Sequence, residues 1–302
     1  MKTLKNTLTT GIIIAGLSNT LAQAGEDWFV STTASIAPGS YSDSELRDSS
    51  LSGTLLLNAD YLDSFSFAIA YNKYNIIFNK VNNTESEVNQ DAISGRLQFH
   101  FFNDTLGGKI TTQLVVHEIS NNDPTTLTDD VSVIAAKLAY LTFDKGFYID
   151  IEYAESSYPN NNDLSVTQWT PSLGFSFNND SDWLSAKGYF IKPDNLNLAP
   201  NEAFSAYDFR WTHWLNSGAT TGLNNFFLDV LVGERIYAVD NDALSVYNLA
   251  DFQTGSFSIG ATWKFTQDTE LSTIYGIEGY ENRTINNQYS QQYFYLGLTT
   301  RW

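Results

Sequence analysis

Phe65-Ser66-Phe67-Ala68-Ile69-Ala70-Tyr71 places a large apolar side chain at every second position and a small one between. Successive side chains of a strand point to opposite faces, so this period of two reads as a β-strand with one apolar face. The same pattern returns in Leu97-Gln98-Phe99-His100-Phe101, in Ile110-Thr111-Thr112-Gln113-Leu114-Val115-Val116 and in Phe147-Tyr148-Ile149-Asp150-Ile151-Glu152-Tyr153. It continues through Phe257 to Phe265 and through Phe294 to Trp302. No segment beyond residue 24 carries the run of roughly 18 apolar residues that a membrane helix requires. The mean hydropathy of −0.23 is that of a water-soluble chain, because alternation averages an apolar face against a polar one.

The connections alternate in kind. Short turns fall at Leu62-Asp63, Asn103-Asp104-Thr105, Asp144-Lys145, Asn178 to Ser181 and Thr266-Gln267. Between them lie longer polar stretches such as Gly39 to Ser49, Ser120 to Asp130, Pro193 to Glu202 and Val239 to Leu249. These boundaries give fourteen strands, starting near Asp27, Ser50, Ser64, Val88, Gly107, Val131, Gly146, Val166, Asp182, Ala203, Asn224, Ala250, Asp268 and Ser290. Merging one weak hairpin would give twelve. Short turns at one end, longer loops at the other and an even number of long strands predict an all-β fold, a transmembrane antiparallel up-and-down β-barrel. A soluble sandwich would use strands of about five or six residues.

Composition narrows the function. With 34 acidic against 16 basic residues the formal charge is −18, which offers no basic face for nucleic acid. No cysteine and only three histidines leave no cysteine-ligated metal or disulfide scaffold and advertise no cofactor and no metal. Lys2 and Lys5, the apolar run Gly11 to Leu17 and the small-residue pattern Ala22-Gln23-Ala24 read as a cleaved signal peptide, residues 1–24. The outer-membrane barrel is then residues 25–302, and the expected compartment is the outer membrane of a Gram-negative bacterium.

Aromatics on the expected lipid face gather toward the short turns: Tyr61, Phe65, Phe101, Tyr140, Phe147, Phe177, Trp263, Phe265 and Trp302. That is where an interfacial girdle sits. The last strand, with Tyr295, Gly297 and terminal Trp302, resembles the C-terminal signal read by the barrel-assembly machinery of Gram-negative outer membranes. Thr300 stands where an apolar residue is usual. In strand number and size the chain is similar to monomeric fourteen-stranded porins of the outer membrane protein G type. That second resemblance is architectural and carries no shared motif.

The complementary positions face the lumen. They place Arg96, Lys137, Asp150, Glu152, Lys187, Asp208, Arg210 and Asp229 near mid-height, with Lys137 opposite Glu152 across the Asp144-Lys145 turn. Opposed charges can build a transverse field in a constriction, or can satisfy one another as cross-strand ion pairs. Phe29, Tyr148, Trp183, Tyr189, Trp214, Tyr293 and Tyr295 also point inward and could narrow the bore or stack on sugar rings. No connection is much longer than eleven residues, so no plug is expected. None of His100, His117 and His213 has a serine two residues away, the spacing of outer-membrane phospholipases, and no catalytic site is expected. The expected function is passive diffusion of small hydrophilic solutes or ions through a charged lumen. The alternative is the barrel of an export or assembly system, a secretion duct or a scaffold for a periplasmic or surface partner. Expected partners are the bilayer and its lipopolysaccharide, the assembly machinery and the solute.

Overall fold

In the computed structural model the described residues are 27–79, 86–194, 203–215 and 221–302, and the expected signal peptide lies outside them. The strands are β1 (Trp28–Ser42), β2 (Arg47–Tyr61), β3 (Phe65–Phe78), β4 (Glu87–Asn103), β5 (Gly108–Asn121), β6 (Val131–Thr142), β7 (Phe147–Tyr158) and β8 (Leu164–Phe177). They continue as β9 (Asp182–Asp194), β10 (Phe204–Trp214), β11 (Gly222–Arg235), the two-residue β12 (Val239–Asp240) and β13 (Ser245–Val246), then β14 (Phe252–Lys264), β15 (Thr269–Asn282) and β16 (Asn287–Arg301). Fourteen of them form a closed antiparallel barrel, each pairing with its neighbour in sequence, and β1 closes on β16. Closure leaves no unpaired edge, the condition for a sheet to cross a bilayer. The minor pair β12 and β13 stands apart from the wall.

Alternation fixes which face is which. Ile69, Ile93, Ile134 and Leu138 are each more than half exposed, while Ala68, Ala70, Ser94 and Ala135 beside them are buried. Ile149, Ile151, Leu173, Phe209, Phe257, Ile259 and Leu296 extend the exposed apolar set around the circumference. A belt of this extent belongs in lipid. At its short-turn end Trp28 packs on Tyr61 with centroids 5.1 Å apart, Phe65 on Phe99 at 5.1 Å and Trp211 on Phe226 at 5.4 Å. Tyr61, Phe101, Phe147, Phe177 and Phe265 are exposed there.

The interior is not uniformly polar. Toward the long-loop end, the inner faces of β5 to β10 present Ile119, Val131, Val133, Tyr158, Leu164, Val166, Ile191 and Phe204, all buried. Such residues could not line open water without cost. They are covered by residues 236–251, the connection from β11 to β14, which folds into the barrel. This corrects the expectation of a lumen without a plug, and the reading of Val239 to Leu249 as an outer loop. Gly233, at φ +102°, sits in a register break between Val232 and Arg235 where the chain leaves the wall. A side chain there would meet Ser205 O at 2.4 Å.

Candidate functional site at the barrel waist

Four sets of contacts hold the inward loop. Ile236, Tyr237, Ala238, Val239 and Leu244 are buried against the apolar inner wall, with the Tyr237 ring 4.6 Å from that of Tyr158. Gln168 of β8 clamps the Val239 backbone: Val239 N donates to Oε1 at 2.9 Å and Nε2 donates to Val239 O at 2.7 Å. A side-chain amide thus replaces the strand that β12 lacks on that side. Ser94 Oγ donates to His117 Nδ1 at 2.7 Å, and His117 Nε2 donates to Asn241 Oδ1 at 2.8 Å. At the far foot, Arg47 pairs with Asp251 at 2.5 Å, and Asn248 Nδ2 donates to Gln90 Oε1 at 2.9 Å and to Thr128 O at 2.7 Å.

Ser94 and His117 are register partners on β4 and β5, so a Ser–His pair exists in space that spacing along the chain could not reveal. Ser94, His117 and Asn241 are all buried. Nucleophilic catalysis needs a substrate within reach of the hydroxyl, and none can approach here, so the three side chains act as a tether for the loop.

The tip of the loop carries charge into the lumen. Asp242 accepts from Lys137 Nζ at 2.5 Å and from Lys187 Nζ at 2.8 Å, and Asp240 accepts from Lys187 Nζ at 3.2 Å. Burial pushes both carboxyls up. The Lys187 ammonium, joined at Asp242 by Lys137, outweighs that and holds both below the usual carboxylate range. Lys137 was expected to stand opposite Glu152 and no partner was expected for Lys187 in particular; the nearest carboxylate of each comes from the loop. Asp240-Asn241-Asp242 reads in sequence as a solvated acidic turn.

Lys137 does stand opposite Glu152 as the turn predicted, with Nζ 3.5 Å from Oε2. Both are buried beneath the loop. Arg210 pairs with Asp229 at 3.2 Å across β10 and β11. Asp208 lies beside Lys187 in register. Arg96 stands apart and donates to Asn58 Oδ1 at 3.3 Å. Asp150, Lys187, Asp208, Arg210 and Asp229 line a cavity of about 1300 Å³ on the short-turn side of the loop, together with Tyr148, Trp183 and Trp214. A second cavity of about 320 Å³, on the wall formed by β1 to β4 and β15 to β16, is lined by Ser50, Asn72, Tyr74, Gln90, Tyr247, Tyr280 and Gln291. The two chambers share Arg235, Asp240, Ser245, Glu278 and Tyr293, which form a waist displaced to one side by the loop. Tyr189, expected to line the bore, is instead fully buried, with Arg235 Cζ 4.9 Å from its ring.

No family model and no curated relative matches the chain. Solved structures do. A mutant of TodX described as a monoaromatic hydrocarbon channel aligns with a TM-score of 0.57 at 9% identity, covering 93% of this chain and 92% of that one. A bacterial polysaccharide outer membrane secretin aligns at 0.53 and 11% identity, covering 90% and 98%. The Acinetobacter baumannii outer membrane protein Omp33 aligns at 0.50 and 7% identity, covering 91% and 99%. These are outer-membrane barrels, and this chain shares their fold.

Proposed function

We propose that the protein is an outer-membrane channel through which small hydrophilic solutes and ions diffuse passively, with the inward loop setting the width and charge of its waist. The observation that carries this reading is the placement of Asp240 and Asp242 in the lumen against Lys187 and Lys137, beside chambers that remain open on both sides of the loop. A barrel that only needed filling would bring apolar residues inward. This loop uses its apolar residues to seat itself and leaves its acidic tip facing water.

The waist and the lower chamber together hold Lys145, Lys187, Arg210 and Arg235 against Asp144, Asp150, Asp180, Asp208, Asp229, Asp240, Asp242 and Glu278. Acids outnumber bases, and a narrow passage with this balance accumulates cations. The exposed apolar belt supports residence in a bilayer, and the terminal strand with Trp302 supports delivery by the assembly machinery. The test is single-channel recording from the refolded chain lacking residues 1–24, in a planar bilayer with asymmetric KCl. Steady conductance with a cation-selective reversal potential is expected. A folded barrel, identified by heat-modifiable migration, that carries no current would overturn the reading and favour a component of a larger export system.

A further inference from the structure

The waist has a feature that ion passage alone does not require. Gly276 of β15 and Tyr293 of β16 are direct register partners, and a Cβ on Gly276 would lie 2.3 Å from Tyr293 Cζ. The tyrosine ring therefore lies flat on the barrel wall over the glycine, an aromatic cover that stabilises strand pairing. Its opposite face is turned to the lumen, and the residue is half-buried and borders both chambers. The comparable ring of Phe227, flat over Gly260, is capped by Arg210 with Cζ 4.0 Å from its centroid. Among the described residues no cation covers Tyr293.

Arg235 and Glu278 flank that face. Among the described residues neither makes an ion pair within 4 Å, with each other or with any other group. Arg235 commits Nε to Gln253 Oε1 at 2.5 Å, and Glu278 accepts from the Tyr280 hydroxyl. The smaller chamber above adds neutral donors and acceptors, and Asn248 Oδ1, in a buried side chain that lines it, has no hydrogen-bond partner.

We propose that this waist is a carbohydrate subsite, in which the free face of Tyr293 stacks on the apolar C–H face of a monosaccharide while Arg235 and Glu278 bond its hydroxyls. Each element has its chemical reason. A pyranose presents a flat patch of C–H bonds that an aromatic face covers. Vicinal hydroxyls both donate and accept, so they can bridge an arginine and a glutamate that do not close on each other. The chamber of about 320 Å³ suits a single sugar ring with water. A zwitterionic amino acid would use the two charges and leave the tyrosine face idle. This proposal rests on the channel reading, since it names the class of solute.

The test uses the refolded barrel and D-glucose as probe, read both by calorimetric titration in detergent and by reduction of ion current. Saturable binding is expected. Tyr293→Ala should weaken it about tenfold, the weight of one stacking face, and Tyr293→Phe should retain it. Glu278→Gln should also weaken it, and should lower the cation preference of the waist at the same time. Glucose binding that is absent, unchanged in Tyr293→Ala, or exceeded by that of glycine would overturn the subsite. If Tyr293→Ala fails to fold, Glu278→Gln decides between the same outcomes. A barrel that conducts without binding glucose refutes the subsite and keeps the channel; one that binds glucose but carries no current does the reverse.

Discussion

Replacing Asp242 with Asn removes one negative charge from the waist with little change of shape. The side chain is about half exposed to the lumen, at 53%, so its field reaches a passing ion through water as well as protein. At a separation of about 8 Å and an effective dielectric constant of about 40, one charge is worth about 1 kcal/mol to a monovalent ion, or roughly fivefold in local cation concentration. Lys137 keeps Glu152 at 3.5 Å and Lys187 keeps Asp240 at 3.2 Å, so neither ammonium is stranded. The loop keeps the Gln168 clamp, the His117 tether and its buried apolar base, so single-channel conductance should change less than selectivity. Under a KCl gradient centred near 0.05 M, the reversal potential should move toward zero in Asp242→Asn. Near 1 M, where the Debye length is about 3 Å, the difference should largely vanish. A reversal potential that does not move, or moves equally at both salt concentrations, would refute the argument that the loop tip sets selectivity.

Lys137→Ala should shift the reversal potential the opposite way, and because it leaves Glu152 buried without its cation it should also lower stability by roughly 1–3 kcal/mol, read from the urea midpoint of unfolding. Gln168→Ala strands the Val239 N–H and C=O, each costing about 1–3 kcal/mol if left unsatisfied; current flicker should rise, and unchanged noise would count against the clamp. For Asp240 and Asp242 the carboxyls lie below their ordinary range when the loop is docked, so docking gains stability above the ordinary carboxylate pKa of about 4 and loses it as pH falls through the depressed values. Current flicker from loop opening should stay flat from neutral pH down to about pH 4 and rise only below it; loosening on the alkaline side instead would refute the sign.

Much of this architecture is legible in the sequence because lipid and lumen impose opposite demands on alternate positions. The strands begin within three residues of where turn chemistry places them, and Asp144-Lys145 sets Lys137 against Glu152. The inward loop is not legible from its own residues. Ile236 to Ala238 read as the end of a strand, and Asp240-Asn241-Asp242 as a solvated turn, since nothing local distinguishes water outside a barrel from water within it. The signal lies elsewhere, in Val131, Val133, Leu164, Val166 and Ile191. Each falls on the lumen face at the long-loop end of its strand, where an apolar side chain must have an apolar partner. Tyr189 was misplaced for the same reason: its inward direction follows from alternation, and its burial follows from the loop.

The central claim is that the barrel is an open path narrowed by residues 236–251. Replacing residues 238–247 with two glycines and comparing its single-channel conductance with that of the wild type, in 1 M KCl, tests it most directly. Removing the loop tip widens the waist between the two chambers, so the variant should conduct several-fold more current. Equal conductance in the two proteins, or silence in both while each migrates as a folded barrel, would contradict the account.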